Sequence, residues 1–285
     1  MNQADFSGLA LDRLKCIASY CEALEPFGFD EYFAAAFLEA SEPGELPARV
    51  AELQRGRYGL ILPRPGGEIE SADATLKGRL SHEARLLDEA GGAGLLPAVG
   101  DWVVAQGAAQ GAAQGEGGSG SSFVISSILP RRSAFARREP GSPERLATQV
   151  LAANVDTAFI VAAADQRWSL RRIERYITLA YEAGVTPVVV VTKADRAEDG
   201  ESLVEDARAL SPGLEAVLVC APQGRGLEGL SPWLREGKTA VLLGSSGAGK
   251  STLLNALAGS QLAATSAVRA DDDRGRHTTT HRELF

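Results

Sequence analysis

One octapeptide constrains this chain more than any other feature: Gly244-Ser245-Ser246-Gly247-Ala248-Gly249-Lys250-Ser251, a full match to G-x-x-x-x-G-K-[ST]. Glycines let backbone N–H groups curl around phosphate oxygens, the lysine meets β- and γ-phosphates, and the final hydroxyl suits Mg²⁺. Residues 238–243 (KTAVLL) read as a buried strand feeding the loop, and residues 251–258 (STLLNALA) as a helix whose N-terminus faces the phosphates. Backbone amides from Gly247 to Thr252 would form the cradle.

The loop comes late, with only 35 residues after Lys250, too few to complete a sheet. The other strands must lie upstream. Residues 156–164, 186–192 and 214–220 are short apolar runs rich in β-branched side chains, separated by helical stretches at 169–183, 201–210 and 227–234. Strands without polar alternation, joined by amphipathic helices, predict an α/β fold with a parallel sheet covered on both faces. Because Thr192-Lys193-Ala194-Asp195 precedes the phosphate loop rather than following it, the expected fold is a circularly permuted P-loop domain.

That tetrapeptide supplies base recognition. An Asp at the fourth position of N/T-K-x-D accepts from the N1–H and exocyclic amine of guanine, a pair of donors that adenine lacks. Asp195 is placed for this; Lys193 would lay its stem along the purine, and Thr192, where Asn is usual, keeps a hydroxyl for holding the loop. Cys220-Ala221 closes the next strand, where an Ala N–H commonly meets guanine O6.

With these blocks in view, the chain resembles the ribosome small subunit-dependent GTPase A family of circularly permuted GTPases. The resemblance runs through Val99-Gly100-Asp101-Trp102-Val103, Ala153-Asn154-Val155-Asp156, the Thr192–Asp195 motif, the strand and loop from Gly237 to Gly247, and Gly275-Arg276-His277-Thr278-Thr279-Thr280. It implies an N-terminal OB-fold, a central permuted GTPase, a zinc-binding C-terminal segment, and GTP hydrolysis stimulated by the small ribosomal subunit. It also makes Thr278–Thr280 part of a switch sensing γ-phosphate, with Thr279 as a second Mg²⁺ ligand beside Ser251, and His277, with Lys250, a catalytic candidate. The stretch 274–281 contains no apolar residue, so it reads as an exposed segment suited to such switching.

Two parts of the family pattern are not found. No apolar strand ending in Asp-x-x-Gly follows the phosphate loop, which makes impaired hydrolysis an expectation, and Cys16, Cys21 and Cys220 lack zinc-ligand spacing. The reading is therefore of a family member truncated at its C-terminus, with GTP or GDP and Mg²⁺ as ligands and no zinc site.

Upstream, residues 1–45 carry two helical patterns, 11–24 and 30–40, and nine acidic side chains against Arg13 and Lys15, nearly the whole net charge of −8. Residues 46–130 change to short alternating strands bounded by Gly and Pro, expected as an antiparallel OB-type barrel with a disordered loop at 106–122 (QGAAQGAAQGEGGSGSS). Residues 131–147 read as a basic linker and 148–285 as the GTPase domain. Arg131, Arg132, Arg137 and Arg138, with Phe135 among them, form a cluster that can pair with RNA phosphates while Phe135 or Tyr58 stacks on a base. Arg49, Arg55, Arg57, Lys77, Arg79 and Arg85 add charge on the barrel. The expected partner is the small subunit and its rRNA, with the protein a cytoplasmic monomer that does not enter membranes. The alternatives are a P-loop ATPase or small-molecule kinase, and a nucleotide-dependent RNA-binding module without appreciable hydrolysis.

Overall fold

The computed structural model describes residues 16–54, 57–64, 67–80, 82, 96–107, 122–138, 148–262 and 283–285. The chain divides into two compact units between Asn154 and Val155, with residues 283–285 joining the first.

In the first unit five strands close into a barrel of order β1-β2-β3-β5-β4: β1 (Leu46–Gln54), β2 (Arg57–Pro63), β3 (Ile69–Leu76), β4 (Trp102–Gly107) and β5 (Ser122–Ile128). All neighbours are antiparallel except β3 and β5. This is the five-stranded, partly Greek-key arrangement of an OB-fold. Tyr58, Leu60 and Leu62 alternate along β2 into the interior, where they meet Val50, Val103 and Ile125. Gln106, Gly107 and Ser122, expected in a disordered loop, belong instead to β4 and β5; residues 108–121 lie outside the described ones.

An apolar layer covers Trp102. Residues 16–24 are helical, and helix α1 (Glu31–Ala40) starts at Asp30, whose carboxylate accepts from the Tyr32 and Phe33 N–H groups as an N-cap. Phe29, Phe33 and Phe37 pack with Leu24 and Leu129 around the indole, the Phe29 ring 4.8 Å from it in an edge contact.

Within the stretch read as a basic linker, residues 134–138 form a strand. Strand β6 (Ala134–Arg138) pairs antiparallel with β7 (Thr148–Ala153), and both belong to the first unit, so the division falls after Asn154 rather than at 148. Local composition hides this because β6 lies within an arginine-rich sequence that reads as a solvated segment. At Gly100 (φ +91°) an added Cβ would lie 2.2 Å from the Ala153 carbonyl oxygen, so only glycine lets these backbones approach. At the other end of the chain, the Leu284 N–H donates to Ala51 O of β1 at 2.8 Å.

The second unit is a parallel sheet of order β10-β9-β8-β11, built from β8 (Thr157–Ala163), β9 (Thr186–Thr192), β10 (Glu215–Val219) and β11 (Ala240–Leu243). Both faces are buried. Ile160, Val189 and Val191 meet Ile173 and Ile177 of α2 (Leu170–Glu182) and Val204 and Ala207 of α3 (Gly200–Arg208). Phe159, Val161, Val188, Val190 and Val219 meet Leu230 and Leu253 on the other face, Leu253 coming from α4 (Lys250–Ala258). The predicted helix at 227–234 is a 3₁₀ run, Leu227–Trp233, with Pro232 inside it. The strand bearing the phosphate loop is last in sequence yet lies beside β8, as circular permutation requires.

Candidate nucleotide site

The sequence-predicted loops gather at the carboxyl ends of the parallel strands, where open α/β sheets bind ligands. Leaving β11, the chain turns at Gly244 (φ +151°), where an added Cβ would fall 2.3 Å from Val161 O. Gly247 (φ 72°) and Gly249 (φ 97°) hold further left-handed turns. Gly249 caps α4 without a side-chain bond, so the amides that open the helix point into the loop. Lys250 Nζ donates to the carbonyls of Gly244 and Ser245, each at 2.9 Å, and burial pushes its ammonium below the ordinary lysine range. Ser251 and Thr252, both half-buried, lie in the first turn of α4.

Thr192 ends β9 and is 3% exposed. Its Oγ1 donates to Ala248 O at 2.6 Å, tying the strand that carries the base motif to the phosphate loop. The hydroxyl therefore holds the loop, as its replacement of Asn suggests. Thr192→Val removes that donor and leaves a buried carbonyl unmatched, with an expected cost of about 1–3 kcal/mol in thermal unfolding of the nucleotide-free protein; an unchanged melting midpoint would show the bond to be incidental.

Lys193 follows with φ 61°, uncommon for a residue with a side chain, and its carbonyl accepts from the Arg196 N–H at 2.9 Å. This turn carries Asp195, its side chain 40% exposed, within 3.4 Å of the thiol of buried Cys220, which donates to Oδ1. Ala221 opens the next short turn, Ala221–Gln223. The two halves of the expected guanine contact thus share one edge.

Residues 165–167 were not picked out from sequence. Asp165, just past β8, accepts from the Arg167 backbone N–H (3.0 Å), from Arg167 Nη2 (2.7 Å) and from Lys193 Nζ (2.9 Å). Hydrogen bonds from Arg167 hold its carboxyl well below the usual carboxylate range; partial burial opposes this and Lys193 assists it. The available signal was position: a charged residue at the carboxyl end of a parallel strand beside the switch in strand order.

His277 and Thr279 lie outside the described residues. Arg131 and Arg132 belong to the first unit and are engaged there. Arg131 Nε and Nη2 donate to Asp101 Oδ1 and Oδ2 at 2.7 and 2.6 Å, and the Asp101 side chain is fully buried. Arg132 pairs with Asp30 at 2.6 Å and lies over the rings of Tyr32 and Phe33 at 4.6 and 4.8 Å. Phe135 and Tyr58, expected to stack on bases, are 3% and 4% exposed and are core side chains. Arg49 is likewise buried, over Trp102, and donates to Phe27 O. Arg137 and Arg138 lie on β6. Among the described residues no three His, Cys, Asp or Glu side chains gather as metal ligands, and no helix is long and apolar enough to cross a membrane.

Comparison with known proteins points the same way. Residues 128–285 match the RsgA GTPase family model. The chain is 42% identical over 264 residues to the small ribosomal subunit biogenesis GTPase RsgA of Opitutus terrae, covering 92% of this chain and 68% of that protein. It is 42% identical over 251 residues to the protein of the same name from Xanthomonas campestris pv. campestris (strain B100), covering 86% and 61%. The chain thus spans about two thirds or less of these relatives. In fold it is similar to YjeQ from Thermotoga maritima (TM-score 0.54, 24% identity, 75% of this chain and 65% of that one). It is also similar to YloQ, described as a circularly permuted GTPase (TM-score 0.50, 22% identity, 74% and 63%).

Proposed function

Since this chain belongs to the RsgA GTPase family, we propose that its second unit binds GDP and GTP, hydrolyses GTP, and serves maturation of the small ribosomal subunit in the cytoplasm. The observation carrying this reading is the joining of the phosphate loop to the base motif through Thr192 and Ala248, which places Lys250 and Asp195 at one sheet edge.

Asp195 accepts from guanine N1–H and the exocyclic amine, with the Cys220 thiol fixing one of its oxygens. Amides from Gly247 to Thr252 receive the phosphates. Lys250 exchanges two loop carbonyls for phosphate oxygens, a trade in which a partly desolvated ammonium meets full negative charge. Positive φ at Gly244, Gly247 and Gly249 gives the cradle its shape, so the residues present fit a bound diphosphate. Ser251, at the start of α4, would hold Mg²⁺, which neutralises charge developing on the phosphates. Thr279, in the proposed switch, would be a second Mg²⁺ ligand, and His277 a candidate for assisting hydrolysis. The described residues offer no group of ligands for zinc, and no step here uses it.

Arg137 and Arg138 would make the rRNA contact, whereas the guanidinium groups of Arg131 and Arg132 are committed to Asp101 and Asp30.

Titration with fluorescent GDP and ADP, followed by GTP turnover with and without small subunits, tests the assignment. GDP is expected to bind in preference to ADP, and Lys250→Ala to weaken GDP binding and to remove the residual GTP turnover. Equal affinity for ADP and GDP would return the chain to the ATPase or kinase alternative.

A further inference from the structure

Asp165 and Arg167 join two parts of the site that the family motifs treat separately. One carboxylate bonds the ammonium of Lys193, in the base motif, and the guanidinium of Arg167. The same Nη2 of Arg167 reaches Gly247 O, in the middle of the phosphate loop, at 3.3 Å. A continuous chain of hydrogen bonds therefore runs from the proposed base-reading turn to the phosphate loop, alongside the Thr192–Ala248 bond but made through side chains of a third loop. Asp165 and Lys193 side chains are only 18% and 17% exposed, so their attraction is less screened than that of a surface pair. Lys193 also occupies a left-handed conformation that its surroundings must maintain.

We propose that Asp165 is a positioning residue for guanine-nucleotide binding, coupling the orientation of Lys193 to the phosphate loop through Arg167. This rests on the reading of the two loops as a guanine-nucleotide site. Asp165 itself touches neither phosphate nor base in this scheme. It fixes where the Lys193 stem lies, and Arg167 fixes the Gly247 peptide against which the phosphates seat. A change at either end is transmitted because both cations share one carboxylate.

The test is titration with fluorescent GDP and ADP of the wild type, Asp165→Asn, Arg167→Gln and the double variant, with thermal melts of each. Each single variant is expected to weaken GDP by about five- to tenfold and to narrow the preference for GDP over ADP, with the double variant no weaker than the worse single one. That sub-additivity distinguishes one coupled unit from two independent contacts. If Asp165→Asn does not fold, Arg167→Gln carries the test, because its side chain is 37% exposed and its loss leaves the sheet intact. Folded variants with wild-type GDP affinity, or losses that multiply in the double variant, overturn the proposal. A wild type that binds ADP as tightly as GDP overturns the underlying site reading, and this inference falls with it.

Discussion

Asp195→Asn is expected to weaken GDP binding by about 2–4 kcal/mol, the largest single loss anticipated at the nucleotide site. The carboxylate offers two acceptors to two guanine donors; an amide offers one acceptor and turns an N–H₂ toward the base. Xanthine presents a carbonyl where guanine has its amine, so xanthosine diphosphate should regain affinity for the variant. Asp195 is 40% exposed and bonded to one thiol, so the substitution should leave thermal stability near that of the wild type. Competition titration with GDP and xanthosine diphosphate measures both effects. Equal loss for the two nucleotides would mean that Asp195 does not read the base edge.

Arg131→Ala carries the second large effect, and it concerns folding. Asp101 is fully buried and bonded by the Ala98 N–H at 2.7 Å and by both arms of Arg131. Removing the arginine strands a buried carboxylate, at an expected cost of about 3–5 kcal/mol. The measurement is denaturant unfolding followed by the fluorescence of Trp102, which lies next to Asp101 in sequence and is itself 1% exposed. Arg137→Ala with Arg138→Ala should separate RNA contact from stability. Unfolding should stay near the wild type, while the salt dependence of rRNA association falls by about one unit per lost phosphate contact. A wild-type unfolding curve for Arg131→Ala would restore that residue to the RNA-facing set.

Much of this was legible in the sequence because the informative signals were local. The parallel strands announce themselves as runs of Val, Ile and Ala with no polar alternation, and Thr186–Thr192 begins and ends where it was predicted. The phosphate loop and the base motif are short patterns whose chemistry dictates their residues. What escaped depends on pairing across the chain. Strand β3 (IESADATL) buries only the small side chains Ala72 and Ala74, so it has no apolar run to read. The pairing of β6 with β7 is invisible to composition, which sees four arginines and reads solvent. Arginine itself misled: its charge suggests phosphate, yet Arg49 and Arg131 sit in the barrel unit against a ring and a buried acid. Asp165 matters through two partners 2 and 28 residues away, and no window along the chain contains all three together.

The order of strands in the second sheet also fixes an order in time. Strands β8, β9 and β10 pair through βαβ crossovers and leave the ribosome before β11, which must then find β8 across a sequence gap of about eighty residues, as in the Ala240–Thr157 pairing. Until that long loop closes, the nascent chain holds the Thr192–Asp195 turn but no anchored phosphate loop. Guanine nucleotide can therefore stabilise this unit only after its last strand has docked, which makes closure of the β8–β11 seam the event that ligand binding reports in refolding experiments.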